Sequence, residues 1–239
     1  MSRWNMHPQG SGKAVNIKRR GYSLSKERIV EAAVEILDEG GADGLTFRSL
    51  ATRLATGPGA LYWHIHSGDD LLVAACDAII ARTVEACEAS AAEGMEPQEA
   101  IRRLSLATFD AMDAHPWVGS ALTRAAGQLP VVRIVEGLGR QIKALGVPEE
   151  EHWMTTSALL SFILGVGGRN AANGRIARVE GLDRAEFLEA TSAAWSQLDA
   201  ELYPFVRSMA APLRTHDDRM DFLAGIDLIL QGIASARNR

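Results

Sequence analysis

Three things are scarce in this chain, and each scarcity closes off a class of function. Aromatic residues make up only 6% of it while alanine, leucine, glutamate and arginine abound. Helix formers therefore outweigh the β-branched and aromatic side chains that favour strands, and an all-α fold is expected. No apolar run approaches the roughly 20 residues that a bilayer crossing requires, and the charged N-terminus lacks the apolar core of a signal peptide, so a cytoplasmic protein without membrane contact is expected. Cysteine occurs only at positions 76 and 87. The pair falls on one predicted helix, too far apart for a disulfide within it and too few for a metal cage, so buried free thiols are the plain reading of Cys76 and Cys87. No metal site and no cofactor are expected.

What is present suffices for a full core: 239 residues, 47% of them hydrophobic, enough for one large or two small domains. The net charge of −5 is unevenly spread. Arg3, Lys13, Lys18, Arg19, Arg20 and Lys26 precede the first acid, Glu27, whereas acids outnumber bases beyond residue 70. A basic arm over 1–22 can gain affinity for phosphates by releasing counterions, and it reads equally as a solvated polar tail.

Proline and glycine punctuate the rest into helices. Lys26–Glu39 is predicted as the first, capped by Ser25, with Ile29, Ala33, Ile36 and Leu37 inward and Gly40-Gly41 ending it. A longer helix starts after Ser67-Gly68, where Asp69 and Asp70 suit the positive end of its dipole, and runs to about Glu88, long enough to connect two lobes. Further helices are expected over 97–114, 116–125, 130–145, 149–172, 183–200 and 217–236, with loops over 173–182 and 203–216. Two of these helices, 149–172 and 217–236, are apolar around much of their circumference and need burial on two sides, which a homodimer interface supplies.

The segment from Leu45 to Ile65 commits the chain to a function. Thr46 caps a short helix with Leu50, Ala51 and Leu54 on one face; Gly57 turns the backbone; Pro58 opens a second helix. The outer surface from Pro58 to Ala60 is nearly bare, and Tyr62, Trp63 and His64 follow one turn later. Two amphipathic helices joined by a tight turn, one with a small-residue tip, suit insertion into a DNA groove.

Together with helix 1 and the pattern Leu-Thr…Leu-Ala…Leu-Tyr-Trp-His-Ile…Leu-Leu from Leu45 to Leu72, this segment resembles the tetracycline-repressor (TetR) family of bacterial transcription regulators. The Ala-His-Pro-Trp turn within Asp110–Val118, the apolar helix ending Phe162-Ile163-Leu164-Gly165, and Phe222–Ile229 look like that family's tetracycline-repressor-like C-terminal domain. The resemblance implies a helix-turn-helix DNA-binding domain over 23–68, a helical effector-binding and dimerisation domain over 69–239, and a homodimer that leaves a palindromic operator when a small molecule binds. It places Thr46, Phe47, Arg48, Gly57, Pro58, Gly59, Ala60, Tyr62, Trp63 and His64 at DNA. Arg48 is set to read guanine, or else to hold a phosphate or remain a solvated surface charge. Tyr62 and His64 match phosphate contacts and Trp63 the protein–DNA boundary, although Tyr62 and Trp63 can equally serve as core. Many relatives carry a lysine at the start of the fourth helix; here Gly68 stands there beside two acids, leaving backbone N–H groups to meet phosphate.

Candidate effector contacts are Phe109, Met112, His115, Trp117, Leu122, Trp153, Ser157 and Phe162, each of which can instead be ordinary core. Tetracycline is not implied, because Ile80–Val84 lacks the histidine of that drug's repressor. An enzyme is the first rival, through the glycine run Gly165–Gly168, but a phosphate loop needs a strand before it and this run sits late in a helical segment. The second rival is a DNA-binding regulator that is constitutive or gated by a protein partner.

Overall fold

The computed structural model describes residues 24–91 and 94–237. Among the described residues the secondary structure is helical throughout: α1 Lys26–Gly44, α2 Phe47–Arg53, α3 Pro58–Leu61, α4 Gly68–Ala89, α5 Pro97–Ala114, α6 Trp117–Arg124, α7 Leu129–Ala144, α8 His152–Glu180, α9 Arg184–Ser196, α10 Pro204–Leu213 and α11 Asp218–Arg237. No helix of these is long and apolar enough to cross a membrane. The basic arm lies outside the described residues.

Local chemistry sets the early boundaries. Ser25 accepts from the Arg28 amide at 3.3 Å and starts α1. Gly41, at φ 66° and ψ −167°, interrupts it where the glycine pair predicts, before one more turn to Gly44. Ser67 accepts from the Asp70 amide at 3.0 Å to start α4. Ile29, Ala33, Ile36 and Leu37 of α1 then pack on Leu71, Ala75 and Ile79 of α4 within one apolar core that continues to Phe222 and Ile226 of α11. Helix α4 therefore touches the small N-terminal bundle α1–α3 on one side and α5 and α7 on the other.

Two predicted loops are helices. Asn173, Gly174 and their neighbours continue α8 to Glu180, because Ala171 and Ala177 are buried on its inner face. Helix α8 ends instead at Gly181 (φ 69°), where the Leu182 amide returns to the Ala177 carbonyl at 2.9 Å. Pro204 opens α10 in the stretch expected to be irregular, and Ala210 seals that helix against α9. The run Gly165–Gly168 lies within α8, and its bareness serves packing. A Cβ on Gly119 of α6 would stand 3.0 Å from the Gly168 Cα, so the two backbones cross in near contact.

Candidate nucleic-acid interface

The wedge is built from α2 and α3. Thr46 Oγ1 accepts from the Ser49 amide and the Thr46 amide donates to Ser49 Oγ, both at 3.0 Å, a reciprocal cap that fixes the entry to α2. At the exit, the left-handed residue is Ala55 (φ 50°), and the expectation that Gly57 makes the turn is corrected: Gly57 has φ −84° and serves as N-cap of α3. The Thr56 amide closes on the Ala51 carbonyl at 2.9 Å, so the hydrogen bonds of the turn hold an alanine where glycine is usual. Leu50, Leu61 and Ile65 are buried beneath and lock the two helices together.

The outer surface carries what the core does not need. Gly57, Pro58 and Gly59 are exposed, and a Cβ on either glycine would meet nothing within 4 Å, so the tip of α3 is open to close approach. Phe47 stacks on Tyr62 with ring centroids 4.5 Å apart and planes 14° from parallel, which ties the end of α3 to the start of α2. Tyr62 is half exposed and Trp63 is 89% exposed, so Trp63 is not core. His64 and Ala60 are partly buried beside them. Arg48 is exposed and makes no ion pair among the described residues, whereas Arg53, one turn and a half further on, is bound to Glu35 and Glu39 of α1. That guanidinium holds the Glu39 carboxyl below the usual carboxylate range. Of the two arginines in α2, one is structural and one faces outward with no carboxylate partner among the described residues.

The residues proposed for an effector are spread over three environments. Phe109 stacks on Phe222 at 4.7 Å, which stacks on Phe162 at 5.6 Å, while Met112 and Leu122 are fully buried in the same core. His115 and Trp117 face the N-terminal bundle: His115 Nδ1 lies 2.8 Å and Trp117 Nε1 2.7 Å from the same oxygen of Asp38 in α1. Trp153 is 71% exposed and Ser157 partly buried on α8. The eight side chains do not surround one cavity. A hollow of about 540 Å³ between α4 and α5 touches His115, and a cleft of about 790 Å³ bounded by α5, α8, α9 and the α10–α11 turn touches Phe109. Among the described residues no group of three or more His, Cys, Asp or Glu is placed to hold a metal ion. Cys76 is buried, its thiol pushed up to about 12 by loss of solvent, and Cys87 is half-buried and raised for the same reason.

Comparison with known proteins decides the family. Residues 29–75 match the family described as bacterial regulatory proteins, tetR family, and residues 92–237 match the tetracyclin repressor-like C-terminal domain. The chain belongs to the TetR family of transcriptional regulators. A solved TetR regulator of Streptomyces coelicolor is 49% identical, with 89% of this chain and 98% of that one covered at a TM-score of 0.76. The repressor DrrR1 of Streptomyces coeruleorubidus is 25% identical over 88% of this TetR chain and 77% of its own length. The class D tetracycline repressor of Escherichia coli is 44% identical over 59 residues, 25% of this chain and 27% of that protein. With the first curated relatives the match spans about a quarter of their length, 24% and 28% for the first two.

The residue that sequence reading missed in this TetR regulator is Asp38. It sits on the flank of α1 with no motif around it, and its two donors lie 77 and 79 positions away. Its register, one residue after the buried Leu37, is the sole hint that it stands at the edge of the core.

Proposed function

We propose that this protein is a repressor that binds a palindromic operator as a homodimer and is released by a small-molecule effector, acting by binding and not by catalysis, in the cytoplasm where bacterial DNA lies. The observation that carries the reading is the wedge itself: an α3 tip without side-chain bulk, flanked by outward Arg48 and exposed Tyr62 and Trp63. The tip admits contact with thymine methyls, Arg48 supplies a fork that matches guanine O6 and N7, and the aromatic and histidine side chains border the phosphates.

Dimerisation is supported by the outer faces of α8 and α11, where Trp153, Met154, Ile176, Val179, Met220 and Leu228 are exposed. Large apolar side chains along two adjoining helices are what a second copy would cover, and twofold symmetry would then set two wedges about one turn of DNA apart. Release is supported by the shared Asp38. A molecule that fits better when His115 and Trp117 move away from α1 would favour the form whose wedges no longer match the grooves, and only such a difference in affinity can release DNA. A structural neighbour, ActR of S. coelicolor, has been solved in complex with actinorhodin.

Fluorescence anisotropy with labelled duplex from upstream of the chain's own gene tests this. Saturable binding that weakens steeply with salt, with two protomers per site, is the expected result. A monomer with no preference for that duplex over scrambled DNA at moderate salt would falsify it.

A further inference from the structure

The hollow between α4 and α5 has a chemistry that the DNA-binding reading does not use. Ile79 and Ala86 of α4 and Leu106, Ala107 and Ala111 of α5 give it apolar wall, and one Asp and three arginines also line it. Two of those arginines have carboxylate partners. Arg219 forms a two-point pair with Asp110 at 3.0 and 3.1 Å, and Arg82 reaches Glu31 of α1 at 3.6 Å. Arg103 does not: it donates to the Ser90 carbonyl at 2.8 Å and to the Ser90 hydroxyl, both uncharged, and makes no ion pair among the described residues. Cys87, also at the rim, stays a neutral thiol because burial raises it, so it supplies no counter-charge.

A partly buried guanidinium held in place by neutral acceptors, with apolar wall on one side and donors to spare, is set up to receive an anion with a hydrocarbon body. We propose that the α4–α5 hollow is a binding site for an amphipathic monoanion, whose charged group pairs with Arg103 and whose apolar body lies on Ile79, Leu106, Ala107 and Ala111. At about 540 Å³ the space suits a small molecule. Its position gives it a consequence. Arg82 and His115 line the same hollow and both reach α1, through Glu31 and Asp38. An occupant that displaces either side chain loosens the N-terminal bundle from α4 and α5, and so weakens DNA binding. The site stands independently of the operator reading; this consequence rests on it.

Decanoate is a suitable probe, with decyltrimethylammonium as a cation of equal apolar length, both followed by calorimetric titration of the full chain. Decanoate should bind at least about tenfold more tightly than the cation, as a charge-assisted bond of this kind implies. Arg103→Gln should weaken decanoate about tenfold or more, and Ala107→Glu, which keeps every arginine and puts a carboxylate on the wall, should abolish binding. Lys143→Gln, the same loss of charge on the exposed end of α7, should bind like the parent. Thermal melts confirm that each variant is folded. Equal binding of the two probes, or decanoate binding that survives both Arg103→Gln and Ala107→Glu, overturns the site. In the second arm decanoate should lower affinity for the operator duplex in the parent and have no effect on it in the double variant Glu31→Gln/Asp38→Ala, which lacks both links to α1. Decanoate binding that leaves DNA affinity of the parent unchanged overturns the coupling, and the calorimetric arm decides the site even if no duplex is bound.

Discussion

The N-terminal bundle and the large helical body are stabilised by the same kind of apolar burial, yet they are specified in different ways. In α1–α3 almost every decisive contact is made within a few dozen residues: the Thr46–Ser49 cap, the Ala55 turn, the Phe47–Tyr62 stack, and Leu50 against Leu61. In the body the decisive contacts join residues far apart in sequence, such as Phe109 with Phe222 or Gly119 with Gly168. The bundle leaves the Gly57–Ala60 tip bare. The body fills its interior with rings, methionine and glycine slots, and presents apolar faces on α8 and α11. A small unit can keep a fixed surface only if its few core residues are irreplaceable, whereas a large one can shift side chains and remain folded.

The sharpest way to break that contrast is to disturb the packing of each region in turn. Leu61→Ala should cost about 2–5 kcal/mol in denaturant unfolding, and it should abolish DNA binding at protein concentrations where the body retains its helical circular dichroism. Loss of both together, in one transition, would show that bundle and body unfold as a unit. Next come the glycine slots of the body. A Cβ at Gly225 would lie 2.1 Å from Phe162 Cζ, and one at Gly167 would lie 2.1 Å from Met112 Cε. Gly225→Ala should therefore destabilise by about 1–3 kcal/mol because a stacked ring must move, and Gly167→Ala by less, since the end of methionine can rotate away. Equal costs would count against the view that side-chain flexibility makes the body tolerant.

Smaller effects test the surface of the wedge. Arg48→Ala should leave the melting temperature unchanged and cost about 1–3 kcal/mol on the preferred duplex, with selectivity relaxed at one base pair. Uniform loss on every duplex would assign Arg48 to phosphate. Smallest, and of opposite sign, Ala55→Gly should stabilise the chain by about 1 kcal/mol, because φ 50° suits glycine and strains alanine. Unchanged stability there would mean that the turn relaxes in solution.

Much of the bundle was legible in the sequence. Ser25, Thr46, Pro58 and Ser67 each announce a helix start by a hydrogen bond or a fixed φ that needs no distant partner. The left-handed turn was misplaced by two residues because Gly57 outranks Ala55 on local preference, while the hydrogen bonds of the turn choose the position. The loops read at 173–182 and 203–216 failed for the opposite reason: polar and glycine residues lower helix preference, but burial of Ala171, Ala177 and Ala210 outweighs it. The proposed effector contacts were dispersed because periodicity tells which residues turn inward and not what they meet there.

Taken alone, the order of residues determined that the chain is helical, where most helices begin, and that a two-helix wedge stands near its start, since capping and amphipathic period act over three or four positions. Only the assembled structure decided that Asp38 gathers His115 and Trp117, that Trp63 stays in the open, and that Arg103 lines a hollow with no carboxylate paired to it among the described residues. Those facts depend on which helix lies against which, and burial fixes that only when distant segments compete for the same apolar surface.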